Sequence, residues 1–309
     1  MTQPDPRHPS ESHPDSGFPT AAQLFGRITA QLGTQLRHLH HHRHPETRRP
    51  PMSTPHEAPA LVAVAHGSRD PRALPAVTAL LDRVRELRPD LTVRLGHIEL
   101  NEPLLTDTLD TLPDGSAAVL VPLLFSRGHH VKHDLPQAAA SAAPRVHVRV
   151  AAPLGPHPLL AEALHARLTE AGWTARHGAD PATAVVLAAA GSRDPESAAD
   201  TRRTARLLSA RLGGTPVVPA YASAAAPTVA EAVRALAARG HHRVAVASCF
   251  TAPGLFATRA AADAPWLAAA PLGPHPALAR LVLHRYDRAA ARATAAPATA
   301  TTTRQLTPA

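Results

Sequence analysis

The chain has 309 residues, room for one large or two modest domains, and 44% of them are hydrophobic, enough to bury a core. Aromatics are only 3%, and 32 Lys and Arg against 24 Asp and Glu give a formal net charge of +8. The arginines are scattered over helix-like segments and few rings exist on which bases could stack, so the balance argues against nucleic acid and leaves room for a smaller anionic ligand.

Cys249 is the only cysteine, which excludes an intrachain disulfide and a Cys-based zinc site. No window approaches the apolar run of a membrane span, and the opening "MTQPDPRHPSESHPDSGFPT" has no apolar stretch of signal-peptide length. The expectation is a soluble cytoplasmic protein.

In chain order, residues 1–58 form a leader rich in Pro, His and Ser whose composition predicts disorder, with a short helix around Ala21 to Leu36. Its tract "HLHHHRH" (38–44) is of the kind that holds a divalent metal loosely, although an unstructured His-rich leader without function is the simpler reading, and Met52 is a second candidate start. Strands are predicted at 60–65, 92–100, 117–125 and 145–151, and helices at 74–87, 102–112, 134–143 and 158–171. Short apolar strands alternating with amphipathic helices predict an α/β fold with a parallel sheet flanked by helices.

The pattern then restarts. "AVVLAAAGSRDP" (184–195) repeats "ALVAVAHGSRDP" (60–71), "APLGPHP" occurs at 152–158 and 270–276, and "VAVASCFTAPGLF" (244–256) repeats "AVLVPLLFSRGHH" (118–130). The same order at a near-constant offset marks a tandem duplication. It predicts a first lobe at 59–175, a second at 183–290 and a disordered tail at 291–309.

In parallel α/β sheets ligands bind beyond the carboxyl ends of the strands. There the first lobe places His66 after strand one, His97, Glu99 and Glu102 around the end of strand two, and Gly128, His129 and His130 after strand three. In the second copy His66 becomes Ala190, Glu99 becomes Ser223, Glu102 becomes Ala226, His129 becomes Leu255 and His130 becomes Phe256. The frame survives twice and the coordinating side chains once, so the first lobe is expected to hold the site. His66, His130 and Glu99 form a plausible divalent-metal set, with imidazole suited to Co, Ni, Fe and Zn. His129 and His133 are spaced to share a helical face, although a solvated turn explains them equally. His157 and His275 recur within "LGPHP", which favours a structural role at a helix start.

These residues resemble a known family. "VAHGSRDP", "HIELNEP" and "VPLLFSRGHHVKHDLP" are similar to the signature of the sirohydrochlorin and cobalt chelatases, the small class II tetrapyrrole chelatases, with Gly128, His130, Val131, Asp134, Leu135 and Pro136 in the last frame. Leu135 for Ile is the one mild departure there. The resemblance covers residues 60 to about 288 and is degenerate after 136.

It implies two tandem chelatase-like lobes with a cleft between them. The implied activity is insertion of a divalent metal (Co²⁺ or Fe²⁺, itself a substrate) into sirohydrochlorin, an acidic tetrapyrrole, with no organic cofactor. Insertion displaces two pyrrole N–H protons, and a histidine, with an ordinary pKa of ~6.5, is matched to accept them near neutral pH. By the resemblance His66 and His130 hold the metal or accept protons, and Glu99 assists. Arg69, Arg127 and Lys132 are expected to pair with substrate carboxylates, although Arg69 and Arg193 could instead pair with Asp70 and Asp194. Two fused lobes imply a monomer built as a pseudo-dimer.

The competing expectation is a non-catalytic metallochaperone carrying Co²⁺ or Ni²⁺, drawing on "HLHHHRH". A hydrolase is disfavoured because no Gly-x-Ser-x-Gly elbow occurs and Ser192 persists in the half that lacks the histidines. A nucleotide-binding protein is disfavoured because neither a P-loop nor a Gly-x-Gly-x-x-Gly is present.

Overall fold

The structure is a computed structural model and describes residues 58–294. The leader with its expected helix and His tract, and the tail from residue 295, lie outside the described residues. Strands β1 (Ala60–Ala65), β2 (Val93–His97), β3 (Ala117–Pro122) and β4 (His147–Val150) form one sheet in the order β2-β1-β3-β4. Strands β5 (Thr183–Ala189), β6 (Val217–Tyr221), β7 (Arg243–Ser248) and β8 (Leu267–Ala268) form a second in the order β6-β5-β7-β8. All pairings are parallel. Leu61 to Val64 and Ala184 to Ala188 have no exposed surface, as expected of central strands covered on both faces.

The helices are α1 (Ala73–Leu87), α2 (Leu105–Asp110), α3 (Leu135–Ala142), α4 (Pro158–Glu170), α5 (Ala175–Ala179), α6 (Pro195–Arg211), α7 (Val229–Ala237), α8 (Leu255–Ala262) and α9 (Pro276–Thr294). One core runs through both halves, joining Leu61, Val119 and Leu164 to Val185, Leu208 and Tyr286. Two smaller clusters line the outer faces, one under α2 and α3 and one under α7 and α8.

The halves exchange their last helices. α4 packs on α6 and β7 of the second half, and α9 packs on α1, β3 and β4 of the first. Reciprocal bonds hold the exchange: Arg167 of α4 donates to the carbonyl of Leu272 at 2.7 and 3.1 Å, and Arg285 of α9 donates to that of Leu154 at 3.1 Å. Each carbonyl belongs to a copy of "APLGPHP". In those copies His157 and His275 cap α4 and α9, their Nδ1 atoms accepting from Leu159 N and Ala277 N at 3.1 Å. Tyr286 Oη donates to Pro59 O at 2.6 Å, closing the second half onto the start of β1.

The duplication extends to single hydrogen bonds. Glu99 N donates to His66 O at 3.1 Å, and Ser223 N to Ala190 O at 3.0 Å. Gly67 and Gly191 sit at φ +102° and +91°, where a Cβ would stand 1.8 Å from Glu99 O and 1.9 Å from Ser223 O. Only glycine fits that conformation without strain. Gly67→Ala and Gly191→Ala are each expected to cost at least about 2 kcal/mol in denaturant titrations. Only Gly67→Ala should also impair the first half's site, because the same clash pushes Glu99 away from His66.

Element boundaries are shorter than the apolar runs suggest. The strand predicted over 92–100 stops at His97, since His97 N turns to Pro103 O and Leu100 takes a φ of +68°. Glu99 therefore stands in a loop. The helix expected over 134–143 is preceded by a π-helical turn, His130–Asp134, in which Leu135 N donates to His130 O. Pro136 accounts for it: with no N–H to offer Lys132 O, and a ring crowding that carbonyl, it widens the preceding turn.

Candidate active site

The topology reverses direction between β1 and β3, and the crevice beyond their carboxyl ends opens into a cleft of about 810 Å³ lined by both halves. His66 leaves the end of β1, and its Nδ1 lies 3.7 Å from Glu99 Oε1. His130 opens the π-helical turn after β3, with its ring edge-on to His66 and centroids 4.8 Å apart. His130 Nδ1 lies 2.6 Å from Asp134 Oδ2. The side chains of His66 and His130 are 43% and 34% exposed, open to a ligand yet held by neighbours. No three of the described His, Cys, Asp and Glu side chains converge on a common metal-sized point.

The remaining polar candidates separate. His129 lines the cleft but is largely exposed, 3.6 Å from Asp134 and stacked against His133 at 4.7 Å. His97 is buried, its Nδ1 3.2 Å from Pro103 O. Glu102 lies outside the cleft lining and accepts from Leu104 N at the start of α2. Ser68 accepts from Asp70 N as Ser192 does from Asp194 N, both at 3.1 Å, the turn role their persistence suggested.

Two expected substrate contacts are engaged elsewhere. Arg127 grips Asp200 of α6 with Nη2 and Nε at 2.7 and 2.9 Å and reaches Glu196 at 2.6 Å. Lys132 pairs with Asp194 at 2.6 Å and with Glu196. Both side chains thus face the second half, and neither lines the cleft. Their hydrogen-bonded carboxylates raise the pKa of each above its ordinary value, and the Lys132 ammonium lowers that of Asp194. Arg69 lines the cleft and makes no ion pair among the described residues. Asp70 pairs with Arg72, and Asp194 with Lys132, rather than with the arginines before them.

Large apolar side chains dominate the rest of the wall, among small polar ones such as Ser192, Thr204 and Thr251. Of five large hydrophobic side chains exposed among the described residues, four (Leu74, Leu100, Leu255 and Phe256) line the cleft. Leu255 and Phe256 occupy in the second half the positions of His129 and His130 in the first. The halves also abut reciprocally: a Cβ on Gly128 would meet Ser192 Oγ at 3.4 Å, and one on Gly254 would meet Ser68 Oγ at 3.3 Å.

A sequence profile described as CbiX matches residues 60–171 and again 184–289, one match for each half. The chain belongs to the CbiX family. Its relatives include the sirohydrochlorin ferrochelatase of Bacillus subtilis (strain 168), 27% identical over 177 residues, a match covering 56% of this chain and 66% of that protein. The sirohydrochlorin cobaltochelatase of Methanococcus aeolicus is 32% identical over 80 residues, covering 25% of this chain and 56% of that protein. That of Sulfolobus acidocaldarius is 31% identical over 97 residues, covering 31% and 77%. The match thus spans just under two thirds of the first relative's length and little over half of the second's.

SirB from Bacillus subtilis with Fe³⁺ superposes with a TM-score of 0.62 at 22% identity, over 77% of this chain and 98% of that one. A CbiX structure described as the terminal enzyme for biosynthesis of siroheme in denitrifying bacteria gives 0.54 at 24%, over 74% and 99%. These structures share the fold of two parallel sheets flanked by helices. In this CbiX chain Asp134, four residues after His130, is the site neighbour whose spacing was visible in the sequence but whose role was not. Leu74 and Leu100 carried no signal, since an exposed leucine cannot be told from a core leucine by pattern alone.

Proposed function

We propose that this CbiX chain is a lyase that inserts a divalent metal, Co²⁺ or Fe²⁺, into sirohydrochlorin. What supports this most is the gathering of His66, Glu99 and His130 at one wall of a cleft that is otherwise mainly apolar. An apolar slot suits the faces of a macrocycle, and the charged Arg69 at its edge suits a peripheral carboxylate.

The reaction joins M²⁺ to the macrocycle and releases two protons. With Nδ1–H donated to Asp134, His130 keeps the Nε2 lone pair for the metal or for a proton. His66 is positioned to share that work, with Glu99 as the neighbouring carboxylate that accepts its N–H or takes a proton itself. His66, Glu99 and His130 would thus supply part of the incoming ion's coordination, and the pyrrole nitrogens the rest. The names of the relatives, sirohydrochlorin chelatases, give no support to a metallochaperone.

We take the single chain to be the working unit, the second half standing where a partner would. Sedimentation of the active protein as a monomer is the expected result. A cytoplasmic setting belongs to the same reading; among the described residues no helix is long and apolar enough to cross a membrane.

The decisive assay adds sirohydrochlorin with Co²⁺ or Fe²⁺ to the purified protein without oxygen and follows the absorbance. Protein-dependent metallation is expected, and the preferred ion assigns the product to cobalamin or sirohaem synthesis. Glu99→Gln should slow it at least about tenfold. A progress curve no faster than the protein-free control with both ions would sink the proposal.

A further inference from the structure

A second cavity, of about 500 Å³, lies between the end of β4 and the C-terminal half of α9 and shares no lining residue with the cleft. Arg149 enters it from β4, and His284, Arg285, Arg288 and Arg292 enter from α9. Among the described residues no Asp or Glu lines it. Arg149, Arg288 and Arg292 are exposed, and among the described residues their side chains make no ion pair or hydrogen bond. Elsewhere the chain pairs clustered arginines with acids, as at Arg127 with Asp200 and Arg145 with Asp110 and Asp114.

The spacing is costly for a helix. Arg288 and Arg292 follow His284 at i+4 and i+8, with Arg285 at i+1, so guanidinium charges crowd this part of the helix, and among the described residues no acid pairs with Arg285, Arg288 or Arg292. Arg285 is half-buried beneath them. Its Nη2 donates only to the carbonyls of Leu154 and Pro156, at 3.1 and 3.4 Å, and its buried Nε has no hydrogen-bond partner. Burial, and then Arg288, lower the pKa of Arg285. His157, whose ring lies 4.7 Å from that of His284, is held down at about 4 by burial and then by Arg285 and His284. A region that disfavours further positive charge so consistently favours a negative one.

We propose that this groove binds a small polyanion carrying two or more phosphate or carboxylate groups. Guanidinium forks present paired N–H donors that match either oxyanion in bidentate geometry, and the volume admits a small molecule. Arg149 comes to the groove from β4 and Arg288 from α9, while the half-buried Arg285 adds charge. Bound anion would relieve the repulsion along α9 and so stabilise the chain. None of this depends on the chelatase reading.

The test is calorimetric titration of the full chain at low ionic strength with pyrophosphate and, separately, with citrate. Binding of pyrophosphate alone assigns a phosphate ligand, and binding of citrate alone a carboxylate one. Either should raise the melting temperature. Arg149→Ala with Arg288→Ala is expected to weaken binding at least about tenfold, with a melting temperature in the absence of anion no lower than the parent's, since the same repulsion is relieved. Arg202→Ala with Arg203→Ala, an equal loss of charge on the exposed face of α6, should weaken it less than about threefold. Absence of binding by both anions, or equal weakening in the two double variants, overturns the proposal.

Discussion

His66→Ala is expected to lower the rate of metal insertion about 10²- to 10³-fold while leaving the melting temperature within a few degrees of the parent. The side chain is 43% exposed and makes no short hydrogen bond, so its loss removes little packing. By the proposed mechanism what is lost is one of two imidazoles offered to the incoming metal, whose rings stand only 4.8 Å apart. The second half holds the natural counterpart of this variant, since Ala190 follows β5 with the same backbone bond to the next loop. His130→Ala should cost at least as much, because it also strands Asp134. His129→Ala, at a largely exposed ring that touches Asp134 only at 3.6 Å, should stay within about threefold of the parent. Near-parental turnover in His66→Ala would remove this histidine from the mechanism.

The second large effect is expected at the seam between the halves. Asp200 is 1% exposed, and among the described residues Arg127 is its only cationic partner, through two side-chain bonds and one from its own backbone N–H. Arg127→Ala leaves that carboxylate buried without its counter-charge. The expected loss is about 2–3 kcal/mol, near the lower end for such a change because the Arg127 side chain is itself more than a third exposed. The double variant Arg127→Ala, Asp200→Ala should recover part of it, since no charge is then stranded.

Activity should fall as well. Arg127 and Lys132 flank the turn that carries His130, so this pairing ties the site of one half to α6 of the other. Asp194 adds a pH dependence. Its pKa is lowered in the fold by Lys132, so its contribution is present above the ordinary carboxylate range and fades as the pH falls through and below it. Denaturant titrations of parent and variants at neutral and acid pH measure both effects. An Arg127→Ala chain as stable as the parent would mean that the ion pairs decorate the seam without holding it.

Much of the architecture was legible because burial leaves a mark on composition. The runs at 60–65 and 184–189 are apolar throughout, and both became central strands. The duplication was legible because turn residues answer to local backbone demands: Gly67 and Gly191 permit the same close approach, and His157 and His275 cap equivalent helices. The site candidates were legible as departures from that repeat, since His66, Glu99 and His130 have no counterparts at Ala190, Ser223 and Phe256.

Tertiary structure alone decided the rest. An amphipathic helix shows that it will cover something but not which sheet, so nothing in α4 or α9 announced that each would cross to the other half. Arg127 and Lys132 stand beside the expected ligands in sequence, yet the acids that claim them come from a helix more than sixty residues away. Whether a charge reaches a ligand depends on what else comes within a few ångströms of it, and that is settled by packing. Local sequence therefore determined which residues of this CbiX chain could do chemistry, and the meeting of its two halves determined which of them are left free to do it.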